Sequence, residues 1–154
     1  MSTRAITFLN RKHIPFEVVK YTHDEKGAEF AAQATGFALE KTVKTLVVDL
    51  GDEKRVLALL PGDKQLDLKS IARICGVKKA IMAETETAER LTGYLVGGIS
   101  PFGVKRNLPV VIEESILQFN RVMINAGQRG TMLLMKAEDV VRALKGKVSK
   151  IARV

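Results

Sequence analysis

Two apolar runs around a tight polar break dominate the pattern of this 154-residue chain. They are Val43-Lys44-Thr45-Leu46-Val47-Val48-Asp49-Leu50 and Arg55-Val56-Leu57-Ala58-Leu59-Leu60-Pro61, with Gly51-Asp52 and charged neighbours between them. Aliphatic and β-branched runs of this length, joined so closely, predict a β-hairpin. Alternation along the first strand puts Lys44 on the face of Leu46, Val48 and Leu50. A lysine there either lies at a strand end and snorkels into water, or is a cation held at the mouth of a pocket.

Around the hairpin, helical and extended patterns interleave. Residues 2–12 predict a helix capped by Ser2 or Thr3, with Ala5, Ile6 and Leu9 on one face. A strand at 16–21 and a polar loop at 22–27 follow, then an alanine-rich helix at 28–35 closed by Gly36. Beyond a turn at 61–65, helices are expected at 67–75 (closed by Gly76) and 84–91 (ending near Gly93), with a short strand at 79–83 between them. A strand at 108–112 precedes a second hairpin, 121–127 and 131–135, joined through Gly127-Gln128-Arg129-Gly130. The last helix, 136–144, is read with Val140, Val141 and Leu144 inward and Gly146 at its end. Residues 147–154 read as a basic tail. The pattern implies one mixed α/β (α+β) domain over residues 1–154, without repeats or an internal linker.

With 46% apolar residues and no tryptophan, the composition is that of a soluble globular protein with an aliphatic interior. No apolar run approaches the ~20 residues needed to span a bilayer, and the N-terminus passes quickly to Asn10-Arg11-Lys12-His13. A cytoplasmic protein without membrane contact is expected. Cys75 is the single cysteine, so neither an internal disulfide nor a cysteine zinc site is expected, and no metal or cofactor. A net charge of +8 favours an anionic partner, RNA being the commonest large one in that compartment. The basic residues are nevertheless scattered, as Arg11-Lys12, Lys78-Lys79, Lys105-Arg106 and the C-terminal residues.

The segment Tyr94-Leu95-Val96-Gly97-Gly98-Ile99-Ser100-Pro101-Phe102-Gly103 packs three glycines and a proline into seven residues. Such a segment turns sharply and can offer backbone N–H groups to a ligand oxygen. It is neither a P-loop nor a dinucleotide fingerprint. Conventional catalytic groups are lacking: His13 and His23 lie in polar stretches, with no nucleophile elbow and no zinc helix. Cys75, near the end of its helix, reads as a small buried hydrophobe. An enzyme of this composition would work by electrostatic positioning, through backbone N–H groups and a lysine, with substrate or water supplying the chemistry.

Several motifs taken together resemble the YbaK/EbsC family of aminoacyl-tRNA deacylases, which are related to the editing domain of bacterial prolyl-tRNA synthetases. These are Val43-Lys44-Thr45-Leu46-Val47-Val48, Gln65-Leu66-Asp67-Leu68-Lys69, the run from Thr92 through Gly103, and Gly127-Gln128-Arg129-Gly130. The resemblance implies a twisted, barrel-like mixed sheet flanked by helices. It implies catalytic roles for Lys44, Gly98 and Ser100. Substrate contacts would come from Tyr21, Thr45, Gly97, Ile99, Pro101, Phe102, Gly103, Gly127, Arg129 and Thr131. The implied substrate is the 3′ end of an aminoacyl-tRNA, above all Cys-tRNA(Pro) and Cys-tRNA(Cys), with prolyl-tRNA synthetase a possible transient partner. In cysteine-editing relatives the substrate's own thiol attacks its ester, so no protein nucleophile is required; in alanine-editing relatives a positioned water does so. A non-catalytic tRNA-binding module is the alternative of another class. One departure bears on specificity: Met132, after Thr131, stands where some relatives carry an aspartate.

Overall fold

The computed structural model describes residues 3–22 and 28–154. Of the polar loop expected at 22–27 only Thr22 is described; His23 lies outside the described residues, as does Ser2.

β2 (Thr42–Gly51) and β3 (Lys54–Pro61) form the expected hairpin. Asp52 and Glu53 both take positive φ, 51° and 60°, which matches a two-residue turn to the twist of its strands. β3 is buried on both faces, Leu57 and Leu59 on one and Val56, Ala58 and Leu60 on the other. A strand covered on both sides has no polar face to show, which explains its unbroken apolar run. β3 pairs in parallel with β6 (Val110–Glu113), and β2 in parallel with β7 (Arg121–Gln128). From β7 the sheet continues antiparallel through β8 (Thr131–Lys136) to β1 (Glu17–Lys20). β9 (Lys147–Ser149) extends the other side beyond β6, and β5 (Ile81–Met82) pairs with β2 off this path. The result is the mixed sheet that the interleaved pattern predicts.

α1 (Arg4–Arg11), α4 (Thr85–Thr92) and α5 (Ala137–Leu144) cover one face, where Ala5, Ile6, Leu9, Ala88 and Val140 meet Val43, Val47, Leu57, Leu59 and Leu133. α3 (Leu68–Ile74) covers the other, with Ile71 and Ala72 against Val48, Val56, Ala58 and Leu60. α2 (Ala28–Thr35) sits over a smaller cluster that contains Ala31, Met123 and Met132. Local chemistry sets the helix ends. Thr3 Oγ1 accepts the N–H of Ile6 at 3.1 Å, and Asp67 accepts those of Lys69 and Ser70. Hydrogen bonds from Ser70 foremost hold the Asp67 carboxyl below the ordinary carboxylate range.

Two expectations change. Residues 147–154 are structured rather than a basic tail: β9 pairs with β6, and β10 (Ala152–Arg153) pairs with β4 (Gln65–Leu66). Between them Ile151 is fully buried. Glu113, itself buried, accepts N–H groups from Ser115 (2.9 Å), Ile151 (2.9 Å) and Ala152 (3.0 Å). Burial pushes its carboxyl up, but these hydrogen bonds outweigh burial and leave it below the ordinary carboxylate range. One inward side chain, on a backbone whose N–H groups are held by a distant carboxylate, leaves no periodic signal in a charged segment. On α5 the buried aliphatic positions are Ala137, Val140 and Ala143, with Val141 and Leu144 only partly covered. The helix ends on Lys145 at φ 52°, while a Cβ on Gly146 would stand 2.6 Å from the Ile112 side chain.

Candidate active site

β2 holds β7 only through Thr42 and Val43, and β5 only through Val48 and Asp49. Between those pairings the sheet parts, and a cavity of about 310 Å³ opens there. Because the opening lies in the sheet itself, residues 43–47 line it whichever face their side chains take. Lys44 is half-buried and is the sole charged residue among the described lining residues. Tyr21, Leu46, Met82, Ala88, Asn125 and Met132 complete most of the wall, and none of its described residues is a carboxylate, histidine, cysteine or serine. Thr45 also lines it, and its buried Oγ1 has no hydrogen-bond partner among the described residues.

The glycine-rich segment forms the remaining wall through Val96, Gly97 and Ile99. Three side chains from separate elements hold it. Glu89 of α4 accepts the Val96 N–H at 2.8 Å, Arg129 donates to the Val96 carbonyl through Nε (3.1 Å) and Nη2 (2.6 Å), and Asn125 Nδ2 donates to the Gly97 carbonyl at 3.2 Å. Gly98 N–H is used within the segment, on the Leu95 carbonyl at 2.9 Å, and Phe102 N–H is used on Ser100 Oγ at 3.3 Å. The N–H groups of Gly97 and Ile99 meet no acceptor among the described residues. They are the two in this wall left to polarise a ligand oxygen.

Of the residues singled out in the sequence, Lys44, Tyr21, Thr45, Gly97 and Ile99 meet at the cavity. Tyr21 is set there by β1, its N–H donating to the Gly130 carbonyl at 2.9 Å. The others are not among its lining residues. Gly98 packs where a Cβ would stand 3.1 Å from Arg129 N, and Gly103 where one would stand 2.6 Å from the Arg4 carbonyl oxygen. Ser100, Pro101 and Phe102 are buried, and Thr131 is buried in its pairing with Lys20 and Gln128. Gly127 sits at φ 96°, with the Tyr94 ring 2.5 Å from where a Cβ would be. The Tyr94 hydroxyl donates to the Phe102 carbonyl at 2.5 Å, and burial pushes it up to about 12, so it stays neutral and structural.

Asn125 is the residue that sequence reasoning missed. Its Oδ1 accepts the N–H groups of Gly127 (2.7 Å) and Gln128 (3.2 Å) across an irregularity in the β7–β8 register, while its Nδ2 reaches the glycine-rich wall. The signal was an asparagine two residues before a glycine in a strand pattern, where asparagine is disfavoured and glycine marks a bulge.

The chain as a whole has known counterparts. The family model of the aminoacyl-tRNA editing domain matches residues 22–143. EbsC of Enterococcus faecalis, a proposed Cys-tRNA(Pro)/Cys-tRNA(Cys) deacylase, is 30% identical over 97% of this chain and 92% of its own length. The multifunctional Ser/Thr-tRNA deacylase ProXp-y of Escherichia coli K12 is 31% identical over 90% of this chain and 85% of its own. A crystal structure of a proposed trans-editing enzyme for prolyl-tRNA synthetase superposes with a TM-score of 0.88 at 26% identity, covering 98% of this chain and 96% of that one. The cavity, its lysine and its glycine-rich wall therefore sit in a fold whose relatives edit charged tRNA, and the chain belongs to the aminoacyl-tRNA editing domain family, as its resemblance to the YbaK/EbsC proteins implied.

Proposed function

We propose that the chain is a trans-editing aminoacyl-tRNA deacylase that removes mischarged cysteine from Cys-tRNA(Pro), and from Cys-tRNA(Cys) when no synthetase sequesters it. The observation that carries this reading is the cavity wall: among its described residues there are one cation, two unengaged N–H groups, and no group able to act as nucleophile or metal ligand apart from hydroxyls and an amide. Such a site stabilises developing charge and leaves bond-making to the substrate. Lys44 faces the ester or its neighbouring phosphate, and the Gly97 and Ile99 N–H groups receive the carbonyl oxygen as it becomes anionic. The cysteinyl sulfur attacks its own carbonyl carbon, the bond from that carbon to the ribose oxygen breaks, and the thiol proton passes to that oxygen. A cyclic thiolactone leaves. Gly98, Ser100, Gly127 and Arg129 act as positioning residues for the wall.

A second reading has its own support. The unpartnered Thr45 hydroxyl suits a seryl or threonyl side chain, removed by a positioned water. Both readings are separated by one panel: tRNAs charged with Cys, Ser, Thr, Ala and Pro, assayed at single turnover. Fast release of cysteine with slow release of serine and proline supports the first; preferential release of serine or threonine selects the second. Spontaneous rates throughout would reduce the chain to a tRNA-binding module. Prolyl-tRNA synthetase is the proposed transient partner, since it produces the mischarged tRNA.

A further inference from the structure

The residues of α1 outside its fully buried stripe form one continuous face, in which Phe8 is partly packed on the core. Ala5, Ile6 and Leu9 are buried, whereas Arg4, Thr7, Phe8, Arg11 and Lys12 recur at helical spacing on the other side. These five line a groove with Gly103 and Val104. Sharing Phe8, Lys12, Gly103 and Val104, the groove runs on into a second one that reaches Lys145. Along both, the described lining residues include Arg4, Arg11, Lys12 and Lys145 and not one carboxylate. The ion pairs among the described residues are all made by other cations. With 25 basic and 17 acidic residues in the chain, a purely cationic channel of this length is charge sorted by the fold.

Two of these cations are held by side-chain contacts, and the third, Lys145, is fixed at its backbone. Arg4 Nε donates to the Gly103 carbonyl at 2.9 Å. Lys12 Nζ lies 5.1 Å from the centroid of the Phe8 ring, which stacks on buried Phe102 at 6.1 Å. Lys145 takes the left-handed helix-end conformation that glycine usually fills. The groove is also tied to the cavity. Thr3 Oγ1 donates at 2.6 Å to the carbonyl of Ala126, next to cavity-lining Asn125. Gly103 ends the segment whose Gly97 lines the cavity wall.

We infer that the α1 groove carries the sugar–phosphate backbone of the acceptor end of the tRNA whose 3′ terminus enters the cavity. The inference rests on the deacylase reading for the identity of the nucleic acid. A row of cations along one helix face neutralises successive phosphates and gains affinity by releasing counterions, with no dependence on base identity. Specificity for the tRNA body is then weak, and the amino acid in the cavity decides what is cleaved.

The test compares the Arg11→Ala/Lys12→Ala variant with Lys69→Ala/Arg73→Ala, which removes the same charge from α3 on the opposite face of the sheet. Arg11→Ala alone leaves the Lys12–Phe8 contact intact, and melting curves accompany all three. Binding of 5′-labelled deacylated tRNA is followed by fluorescence anisotropy over a salt series. The α1 double variant should lose about tenfold or more in affinity, and its log–log salt slope should shrink by roughly 1–2, at about 0.9 per duplex phosphate contact. In deacylation its KM for aminoacyl-tRNA should rise. Its rate on the same amino acid esterified to a CCA trinucleotide should match wild type, because that substrate ends before the groove. Unchanged affinity and slope in the α1 variant, or an equal loss in the α3 variant, overturns the inference and points the face toward an acidic protein instead. If wild type cleaves neither substrate, the deacylase reading fails, and the anisotropy arm still decides the groove.

Discussion

Lys44 is where alternation and tertiary structure meet. It is the sole charged residue in the described wall, and under the deacylase reading proposed above it acts on substrate charge. Lys44→Ala should lower single-turnover deacylation by about 10²–10³-fold with little change in melting temperature. Lys44→Arg should restore little, because a planar guanidinium does not reproduce a compact ammonium. Wild-type rates in Lys44→Ala would remove it from the site, and a collapsed melting temperature would make it structural. Asn125 separates into two functions. Asn125→Asp keeps the acceptor for Gly127 and Gln128 but loses the donor to Gly97. It should stay folded yet deacylate about ten- to a hundredfold more slowly, since small misplacements of a catalytic wall are costly. Equal rates would show that Gly97 holds its place without Asn125. Cys75 packs beside the core on the α3 face and burial pushes its thiol up, so Cys75→Ala should keep activity if the substrate supplies the sulfur.

At the scale of elements, Glu113 joins β6 to the C-terminal strands by accepting the N–H groups of Ile151 and Ala152, besides that of neighbouring Ser115. Its folded pKa is depressed, so its stabilisation is complete above the unfolded carboxylate value near 4.5 and is lost as pH falls through the lower folded value. Glu113→Gln should cost about 1–2 kcal/mol at neutral pH, the difference between charged and neutral acceptors. It should also flatten the acid limb of a urea-midpoint profile measured below pH 4.5. A variant that keeps the wild-type acid limb would show that other carboxylates set it. The same element explains a misreading: the segment from Lys147 looked like a tail because its anchoring partners lie nearly forty residues earlier, at Glu113 and in β6. Hairpins and caps, by contrast, were legible. Thr3 caps α1 through a neighbour three residues on, and Gly36 and Gly93 close helices in left-handed conformations that side chains resist; Asp67, read as the first residue of its helix, is its cap instead.

For the whole molecule, deletion of residues 147–154 distinguishes a tail from two strands. Loss of β9 and β10 would expose Leu66 and the surfaces around Ile151, and leave buried Glu113 without two of its donors. The truncated protein should melt well below the full chain or fail to fold, as read by circular dichroism; an unchanged melting curve would return the segment to a dispensable tail. By itself, the sequence determined what depends on near neighbours: the β2–β3 hairpin, the helix caps, the glycine turns, and the face on which Lys44 stands. It also carried the family's motifs, and with them Lys44, Tyr21, Thr45, Gly97 and Ile99. Only the tertiary structure decided where the sheet parts between β7 and β5, which of the glycine-rich N–H groups stay unengaged by the described residues, and that scattered cations align along α1. Those features arise from contacts between residues far apart in the chain, and a local period of 2 or 3.6 carries no information about which distant strands pair and where they separate.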